Sequence, residues 1–388
     1  MRYDSVRLAG FSALEPKTRR GGFDGPFFLL VLLLLAMGVV MVLSASFPRA
    51  YYDPGGVTGG DAAYYFVRQF VFALLGLGAM LLASRLPMGF YRRYALPFLA
   101  LTLVLLLLVP LVGVKANGSR RWLGVGSLTL QPSELAKLAV ILSFSVLICR
   151  FRGRMRSFRW GVLPFAGLLG LIVGLLVLEP HFSASIIIIA IGGAMLFLGG
   201  LGLGWFASAI GAALGGLALL LTFFPYASER INTWRDPFSS ASDEGYQIVQ
   251  SLYSIGSGGL SGLGLGGSRQ KFLYLPEEHN DFIFSVVCEE LGFIGAALII
   301  CLFALLILRG YWIALHCRSR FSLLVCAGIS TLLAIQVFLN VAVVTNLVPC
   351  TGISLPFFSY GGTALLIQLG EMGIILSASR DMITERKE

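Results

Sequence analysis

The sequence predicts an all-α polytopic membrane protein with ten transmembrane helices, and three observations support this fold class. Of its 388 residues, 57% are hydrophobic and only 13% are charged, whereas a soluble domain carries about 25% charged residues. Apolar runs of about 20 residues, the length that spans a bilayer, recur along the whole chain. Basic residues gather in alternate loops, as they do on the cytoplasmic side of membrane proteins. One membrane-embedded unit is therefore expected rather than several soluble domains.

Each predicted span is a mostly apolar run bounded by polar or basic residues. The runs cover approximately residues 27–46, 65–84, 94–114, 132–149, 161–178, 182–200, 204–224, 283–308, 321–346 and 360–379. Several spans contain charged side chains, which are costly in lipid and are expected to face the bundle interior, a cavity or an interface. These side chains are Arg68, Glu134, Lys137, Glu289, Glu290 and Glu371.

The distribution of Lys and Arg sets the expected orientation. Most of the 29 basic residues lie in the two chain ends and in the second, fourth and eighth interhelical loops. By the positive-inside rule that side is the cytoplasm, so both termini are predicted to be cytoplasmic. The long loop 225–282, between the seventh and eighth helices, is then extracytoplasmic. The predicted domains are a cytoplasmic tail, a ten-helix membrane domain and a second cytoplasmic tail, at residues 1–26, 27–380 and 381–388.

The sequence gives no support for nucleic-acid binding, a disulfide framework, a zinc site or a cleaved signal peptide. A net charge of +9 would be compatible with nucleic-acid binding in a soluble protein, but here the topology accounts for it and no nucleic-acid partner is expected. Most of the six cysteines lie within or beside apolar runs without paired spacing, so neither a disulfide framework nor a zinc site is predicted. No cleaved signal peptide is predicted, because the polar segment before the first span is too long.

The predicted extracytoplasmic loops contain three local patterns. Residues 243–256 have apolar side chains near a helical period, which predicts a short helix lying at the membrane interface. The glycine-rich run 258–267 has the form GxGxxG, but no βαβ unit surrounds it, and a flexible loop is predicted instead. Asn117-Gly-Ser119 fits a glycosylation acceptor, although a simple turn explains it better.

The start of the fourth helix combines a helix-start signal with two charges. Pro132 suits the first turn of a helix, and polar residues flank it. Glu134 and Lys137 are three residues apart, so they share a helix face and can form an ion pair. One interpretation is a structural pair that lowers the cost of two charges in the membrane. The other is a site in which Lys137, with Arg120 and Arg121, holds an anionic headgroup such as a pyrophosphate.

The densest cluster of titratable residues lies directly before the eighth helix. It comprises Glu277, Glu278, His279 and Asp281 within five residues. The simplest interpretation is a solvated acidic loop, but clustered titratable groups at the mouth of a membrane helix often mark a functional site. A metal site formed by Glu277, His279 and Asp281 also stays open, since the spacing is not diagnostic. The two glutamates inside the eighth span are expected to be structural residues of the bundle interior.

Five motifs follow one another in the predicted extracytoplasmic loops or at the adjacent helix ends. They are Asn117-Gly-Ser-Arg-Arg-Trp122, Gln131-Pro-Ser-Glu-Leu-Ala-Lys137, Arg235-Asp-Pro-Phe238, Leu275-Pro-Glu-Glu-His-Asn-Asp-Phe-Ile-Phe284 and Leu355-Pro-Phe-Phe-Ser-Tyr-Gly-Gly362. Each motif is weak alone, whereas their combination in this order is specific. Together they resemble the SEDS family, which holds the FtsW, RodA and SpoVE proteins, over approximately residues 27–380.

The resemblance implies a peptidoglycan glycosyltransferase that polymerises lipid II at the outer face of the bacterial cytoplasmic membrane. The implied partners are a class B penicillin-binding transpeptidase and other divisome or elongasome membrane proteins. Asp281 falls on the family's proposed catalytic aspartate and is expected to act as general base in an inverting displacement that releases undecaprenyl pyrophosphate. Mg²⁺ or Mn²⁺ could assist, and no organic cofactor is expected. The residues expected to bind substrate are Arg120, Arg121, Gln131, Ser133, Glu134, Lys137, Arg235, Glu277, His279 and Ser359.

One segment departs from the family pattern. Family members often have Gln-Pro-Asp-Leu-Gly-Thr where this chain has Glu179-Pro-His-Phe-Ser-Ala184, so no role is carried over to His181. This segment, with Thr351-Gly-Ile-Ser-Leu-Pro356 and Gly370-Glu-Met-Gly373, looks closer to the division and sporulation branch than to the elongation branch. Two other functions stay open: a lipid II flippase, favoured by the intramembrane charges, and a non-catalytic scaffold for division proteins.

Overall fold

The structure, a computed structural model, describes residues 22–116, 119–125, 128–179, 181–209, 211, 232–242 and 245–382. The α-helices whose full bounds lie within the described residues are α1 (Gly25–Tyr51), α2 (Tyr64–Arg85), α3 (Met88–Val112), α4 (Pro132–Arg150), α5 (Leu163–Leu178), α6 (Phe182–Gly199), α7 (Tyr246–Gly258), α8 (Ile283–His316), α9 (Arg320–Val344) and α10 (Gly362–Ser379). A π-helical turn, Phe158–Val162, leads into α5, and a 3-10 turn, Pro237–Ser240, precedes α7.

The predicted helical membrane fold is confirmed. Within the described residues nine helices, all but α7, are long and apolar enough to cross a membrane. The seventh predicted span, 204–224, lies largely outside the described residues, as do Asn117 and Gly118 of the predicted turn. Helix α8 is longer than predicted, because it continues to His316. The short helix expected at 243–256 is present as α7, and buried side chains such as Ile248 pack it against the bundle.

The all-α prediction is wrong in one segment, which forms a small antiparallel sheet. Its strands are β1 (Val114–Ala116), β2 (Ser119–Val125) and β3 (Leu128–Leu130), in the order β1-β2-β3. Trp122 of β2 pairs with Val114, and Leu123 pairs with Leu130. The sheet sits between α3 and α4, so it places β2 beside the start of α4.

Helix packing places the polar segments of the chain inside the bundle. The apolar stretches of α4, α9 and α10 are mostly buried, whereas fewer than a third of the residues in those of α2, α3 and α5 are buried. Helix α10 packs closely along α2. The two backbones are so near at Gly373 that a Cβ atom there would collide with the carbonyl oxygen of Met80. Small residues allow such close contacts between helices in membranes. The most buried helices are therefore those that begin or end near the predicted site.

A partly buried ion pair joins helices or loops at each of the two ends of the bundle. At one end Asp24 caps α1 and binds Arg309 of α8 at 2.7 Å, while its backbone amide donates to Ser379 of α10. At the other end, called the site end below, Arg49 of α1 donates two hydrogen bonds to Glu278, at 2.7 and 2.8 Å. Glu278 has no exposed surface. Its carboxylate therefore anchors the loop before α8 to the end of α1.

Helix α8 is interrupted at Gly292, whose φ of 66° and ψ of −171° are not helical. The glycine-rich run 258–267 lies against this interruption, and a Cβ atom on Gly292 would collide with the amide nitrogen of Gly262. Four backbone hydrogen bonds of 2.9 to 3.1 Å join the two segments: Leu263 N to Glu289 O, Gly264 N to Glu290 O, Phe293 N to Gly259 O and Ile294 N to Leu260 O. The predicted loop is present, and its backbone is hydrogen-bonded to groups that the broken helix frees.

The two glutamates of α8 are fully used within the fold. Glu290 forms an ion pair of 2.7 Å with Lys271 and accepts a hydrogen bond from Ser44. Glu289 accepts hydrogen bonds from the Ser254 hydroxyl and the Arg269 amide, both at 3.0 Å. Buried carboxylates are stable only when paired in this way. Their contacts fix the segment 268–271, which leads towards the candidate site.

Candidate functional site

A polar cavity of about 400 Å³ lies at the site end of the bundle. Its walls come from α2, strands β2 and β3, the first turns of α4 and α6, the loop before α8, the side of α9 and the segment 352–365. Both charge signs are present, with Glu277 and Asp281 from the loop and Arg121 and Lys137 from β2 and α4. The sheet and the helix starts thus gather residues that are far apart in sequence.

Hydrogen bonds to backbone carbonyl groups hold Asp281 at the cavity wall. The side-chain amide of Asn340 in α9 donates to the carbonyl oxygen of Asp281 at 2.8 Å and to that of Ile353 at 2.7 Å. The Ser359 hydroxyl donates to the carbonyl oxygen of Asn280 at 2.8 Å. These bonds fix the backbone around Asp281 without using its carboxylate, which remains available to the cavity.

The environment of Asp281 favours its neutral form. Burial is the main cause, and the nearby negative charge of Glu277 adds to it, while Arg121 opposes both. Together they raise the pKa of Asp281 to about 7. A carboxylate with a pKa near the operating pH is suited to accept a proton in a reaction.

The absence of a side chain at Gly352 leaves the space that the Asp281 carboxylate occupies. A Cβ atom at this position would lie 2.6 Å from Oδ2 of Asp281, a distance at which one of the two atoms must move. We expect Gly352→Ala to displace the carboxylate and to lower the activity of the site by one to two orders of magnitude, because about 1 Å of misplacement can cost roughly 10²-fold. The measurement is turnover at saturating substrate. Gly370→Ala on α10, where no atom lies within 4 Å of the added methyl, is the matched control and should retain activity.

Glu134 and Lys137 form a buried ion pair on the cavity wall. Nζ of Lys137 lies 2.6 Å from Oε2 of Glu134, and Lys137 and Glu134 are 3% and 8% exposed. Their i, i+3 spacing puts both on the same face in the first turns of α4, where the helix N-terminus also favours the carboxylate. Both residues also line the cavity. The pair can therefore stabilise the fold and also contact a ligand bound in the cavity.

Strand β2 separates the two adjacent arginines. Successive side chains of a strand point to opposite faces, and Arg121 lines the cavity while Arg120 is exposed. Arg120 donates to the carbonyl oxygen of Pro110 at 3.2 Å. The sequence left open which arginine faces the substrate, and the strand geometry places Arg121 on the cavity wall.

The other residues expected to bind substrate divide into two groups. Gln131, Glu277 and Ser359 line the cavity with Arg121, Glu134, Lys137 and Asp281. Ser133 is buried in α4 and Arg235 is exposed, and neither lines the cavity. His279 is also absent from its walls.

The ring of His279 points into an aromatic cluster. Its centroid lies 4.9 Å from that of Tyr65 and 5.8 Å from that of Tyr360, and Nδ1 is 3.7 Å from Oε1 of Glu278. The structure therefore does not bring the set Glu277, His279 and Asp281 together on the cavity wall. Within the described residues no group of three His, Cys, Asp or Glu side chains is placed to hold a metal ion.

Several polar wall residues were not singled out from the sequence as substrate-binding. They include Arg68, His181, Gln336 and Gln368. His181 is 8% exposed, and its Nε2 lies 3.5 Å from Nε2 of Gln131. Burial, with smaller contributions from Arg121 and Lys137, lowers the pKa of His181 to about 3, so its imidazole is neutral. A polar residue inside an apolar span was the available sequence signal for Gln336 and Gln368. A single Gln in a span, however, can equally face a cavity or a neighbouring helix.

Comparisons with known proteins identify the family of the chain. The family model described as "Cell cycle protein", FtsW/RodA/SpoVE, matches residues 26–383. Stage V sporulation protein E of Bacillus subtilis is 38% identical over 365 residues, covering 94% of this chain and 98% of that protein. A probable peptidoglycan glycosyltransferase FtsW of Trichlorobacter lovleyi is 38% identical over 368 residues, covering 94% of this chain and 95% of that protein.

Solved structures show the same similarity. A chain from a structure titled "Structural coordination of polymerization and crosslinking by a peptidoglycan synthase complex" superposes with a TM-score of 0.77 at 30% identity, covering 94% of this chain and 99% of that one. The rod shape determining protein RodA of Thermus thermophilus gives a TM-score of 0.66 at 30% identity, covering 94% and 98%. The chain therefore belongs to the FtsW/RodA/SpoVE family of multi-pass membrane proteins.

Proposed function

We propose that the protein is a peptidoglycan glycosyltransferase that polymerises lipid II at the outer face of the bacterial cytoplasmic membrane. The observation that carries this proposal is the cavity in which Asp281, with a pKa of about 7, lies with Arg121 and Lys137. Relatives that carry the name peptidoglycan glycosyltransferase support the same activity. The chain is an enzyme, and its proposed role is in cell division, sporulation or cell shape.

The reaction needs a base and a cationic site. Deprotonated Asp281 accepts the proton of the acceptor sugar hydroxyl, whose oxygen attacks the anomeric carbon of the donor. The bond from that carbon to the pyrophosphate breaks, and the negative charge leaves with undecaprenyl pyrophosphate. Arg121 and Lys137 stabilise this departing charge, as cations do in phosphoryl transfer. A single displacement inverts the anomeric centre, so an α-linked donor gives a β-linked glycan.

A divalent cation would fit this site only if the phosphates of the substrate supplied some of its ligands. Glu277 and Asp281 are two carboxylates on one wall, and Mg²⁺ is commonly held by one or two carboxylates together with substrate phosphates and water. Such an ion would neutralise charge on the pyrophosphate. We therefore propose Glu277, rather than His279, as the protein ligand next to the base.

The test of the proposed function is lipid II polymerisation by the purified protein in detergent or vesicles. We expect glycan strands when the class B penicillin-binding transpeptidase partner is present, and release of undecaprenyl pyrophosphate. Product that remains monomeric under every partner condition, with partner binding intact, would instead support the scaffold function. Transfer of labelled lipid II across sealed vesicles without polymerisation would support the flippase, for which buried Glu371 in α10 and Lys137 are the motivating charges.

The pH dependence of turnover should follow Asp281. Because the base must be deprotonated and its pKa is raised to about 7, activity is expected to fall about tenfold per pH unit below that value and to level off above it. The measurement is kcat/KM for polymerisation between about pH 5.5 and 8.5. Glu277→Gln removes a negative charge that raises the pKa of Asp281, so the midpoint should move to lower pH. An unchanged midpoint would assign the titration to another group.

The two neighbouring arginines provide a matched pair of variants. Arg121→Gln removes a cation from the cavity wall and should lower turnover by about 10²-fold, the usual loss for one charge-stabilising donor. Arg120→Gln makes the same chemical change on the exposed face of β2 and should stay within about twofold of wild type. Polymerisation rates of both variants are the measurement. An equal loss in the two would mean that the sheet, rather than the cavity charge, matters.

A further inference from the structure

A second cavity, of about 760 Å³, lies at the end of the bundle opposite the site. It is formed where the loop 151–157 between α4 and α5 meets Trp160, the end of α6 and the start of α9. Four of its lining side chains are arginines: Arg152, Arg154 and Arg156 from the loop and Arg320 from α9. In the part of the chain that the structure describes, no Asp or Glu lines this cavity.

The loop that carries three of these arginines is a fixed structure. The Arg154 amide donates to the carbonyl oxygen of Phe151 at 2.7 Å, and the Ser157 amide donates to that of Arg154 at 3.0 Å. Met155 is buried, and a Cβ atom on Gly161 would collide with its carbonyl oxygen. The loop therefore packs against the start of the next helix, and its arginines project from a constrained backbone.

Side-chain contacts hold two of the four arginines beside the cavity. The guanidinium of Arg154 lies 5.4 Å from the ring centre of Trp160, a cation–π distance. Arg320 spans to α6, where it donates to the carbonyl oxygen of Gly199 at 3.2 Å. The positive-inside rule explains arginines in such a loop, but it does not require arginines from two elements to surround one cavity. By contrast, Arg309 and Arg49 are each neutralised by a carboxylate.

We propose that this cavity binds the phosphate headgroup of an anionic phospholipid. Guanidinium groups match phosphate oxygens with paired hydrogen bonds. Basic pockets between transmembrane helices on the cytoplasmic side are suited to lipid headgroups. Trp160 is half-buried at the same end, where an amphipathic ring meets the membrane interface. The site is independent of the cavity that holds Asp281.

The test uses native mass spectrometry of the full-length protein with added phosphatidylglycerol, compared with phosphatidylcholine. The variant is Arg154→Gln/Arg156→Gln, and the control is Arg93→Gln/Arg318→Gln, two exposed arginines that do not line the cavity. We expect phosphatidylglycerol to bind about 30-fold more weakly to the first variant, since each basic residue near an anionic surface contributes about 1 kcal/mol. The control should bind within about twofold of wild type.

Two outcomes would overturn the proposal. An equal loss in both variants would assign binding to the general charge of this face. Full displacement of phosphatidylglycerol by an equimolar amount of inorganic pyrophosphate would assign the cavity to a soluble phosphate instead. Thermal unfolding of both variants near the wild-type temperature, measured in the same detergent, shows that the comparison is made between folded proteins.

Discussion

Asp281→Asn should lower the rate of lipid II polymerisation by about 10² to 10⁴-fold, the usual contribution of general base catalysis. The amide keeps the size of the side chain but cannot accept the hydroxyl proton. The measurement is the rate of glycan formation by the purified variant with the proposed transpeptidase partner. Wild-type rates from this folded variant would remove Asp281 from the role of base.

The stability of this variant provides its own control. Asp281 has a folded-state pKa of about 7, above its unfolded value of 3.8. A raised carboxyl pKa means that the folded protein loses stability as pH rises from the unfolded pKa through the folded one. The amide side chain of the variant carries no charge at any of these pH values, so the variant should unfold at or above the wild-type temperature at pH 8. Activity should therefore fall while stability is retained or increased.

Lys137→Met should produce the second large effect, on both activity and stability. It leaves Glu134 buried without its partner at 2.6 Å, and breaking a buried ion pair in this way costs about 3 to 5 kcal/mol. It also removes a cation from the cavity, with an expected loss of about 10² to 10³-fold in turnover. Thermal unfolding and polymerisation rate are the two measurements.

The double variant Glu134→Gln/Lys137→Met separates the two interpretations of the ion pair. It removes the unpaired charge, so the unfolding temperature should return towards the wild-type value. Polymerisation should stay low, because the leaving pyrophosphate still lacks the cation. Recovery of both properties would show that the pair acts only in the fold.

The apolar runs were sufficient to locate the membrane helices, because a span of about 20 apolar residues has few other stable structures. The segment around Asp281 could also be located, since clustered charges beside such a span are unusual. The small sheet could not be predicted. Strand β2 contains two adjacent arginines and no alternation of apolar and polar residues, so neither its pairing nor the separation of Arg120 from Arg121 was visible.

Other parts of the site depend on partners that are distant in the chain. His279 sits in the same five-residue cluster as Asp281, yet it turns away because Tyr65 and Tyr360 provide an aromatic pocket. Glu278 turns away for a different reason, since Arg49 reaches it from the end of α1. Sequence proximity placed these residues together, and only the packing of α1 and α2 distinguishes them.

The interruption of α8 at Gly292 divides that helix into two rigid segments. The shorter one follows Asp281 directly, and the four backbone bonds to the glycine-rich run set its angle to the longer one. Two of these bonds hold the short segment and two hold the longer one, so rotation of one segment against the other would break at least one pair and turn Asp281 relative to the run 258–267. At Gly262 a methyl group would collide with the carbonyl oxygen of Glu290. Glycines outside the cavity wall therefore constrain the helix segment that directly follows Asp281.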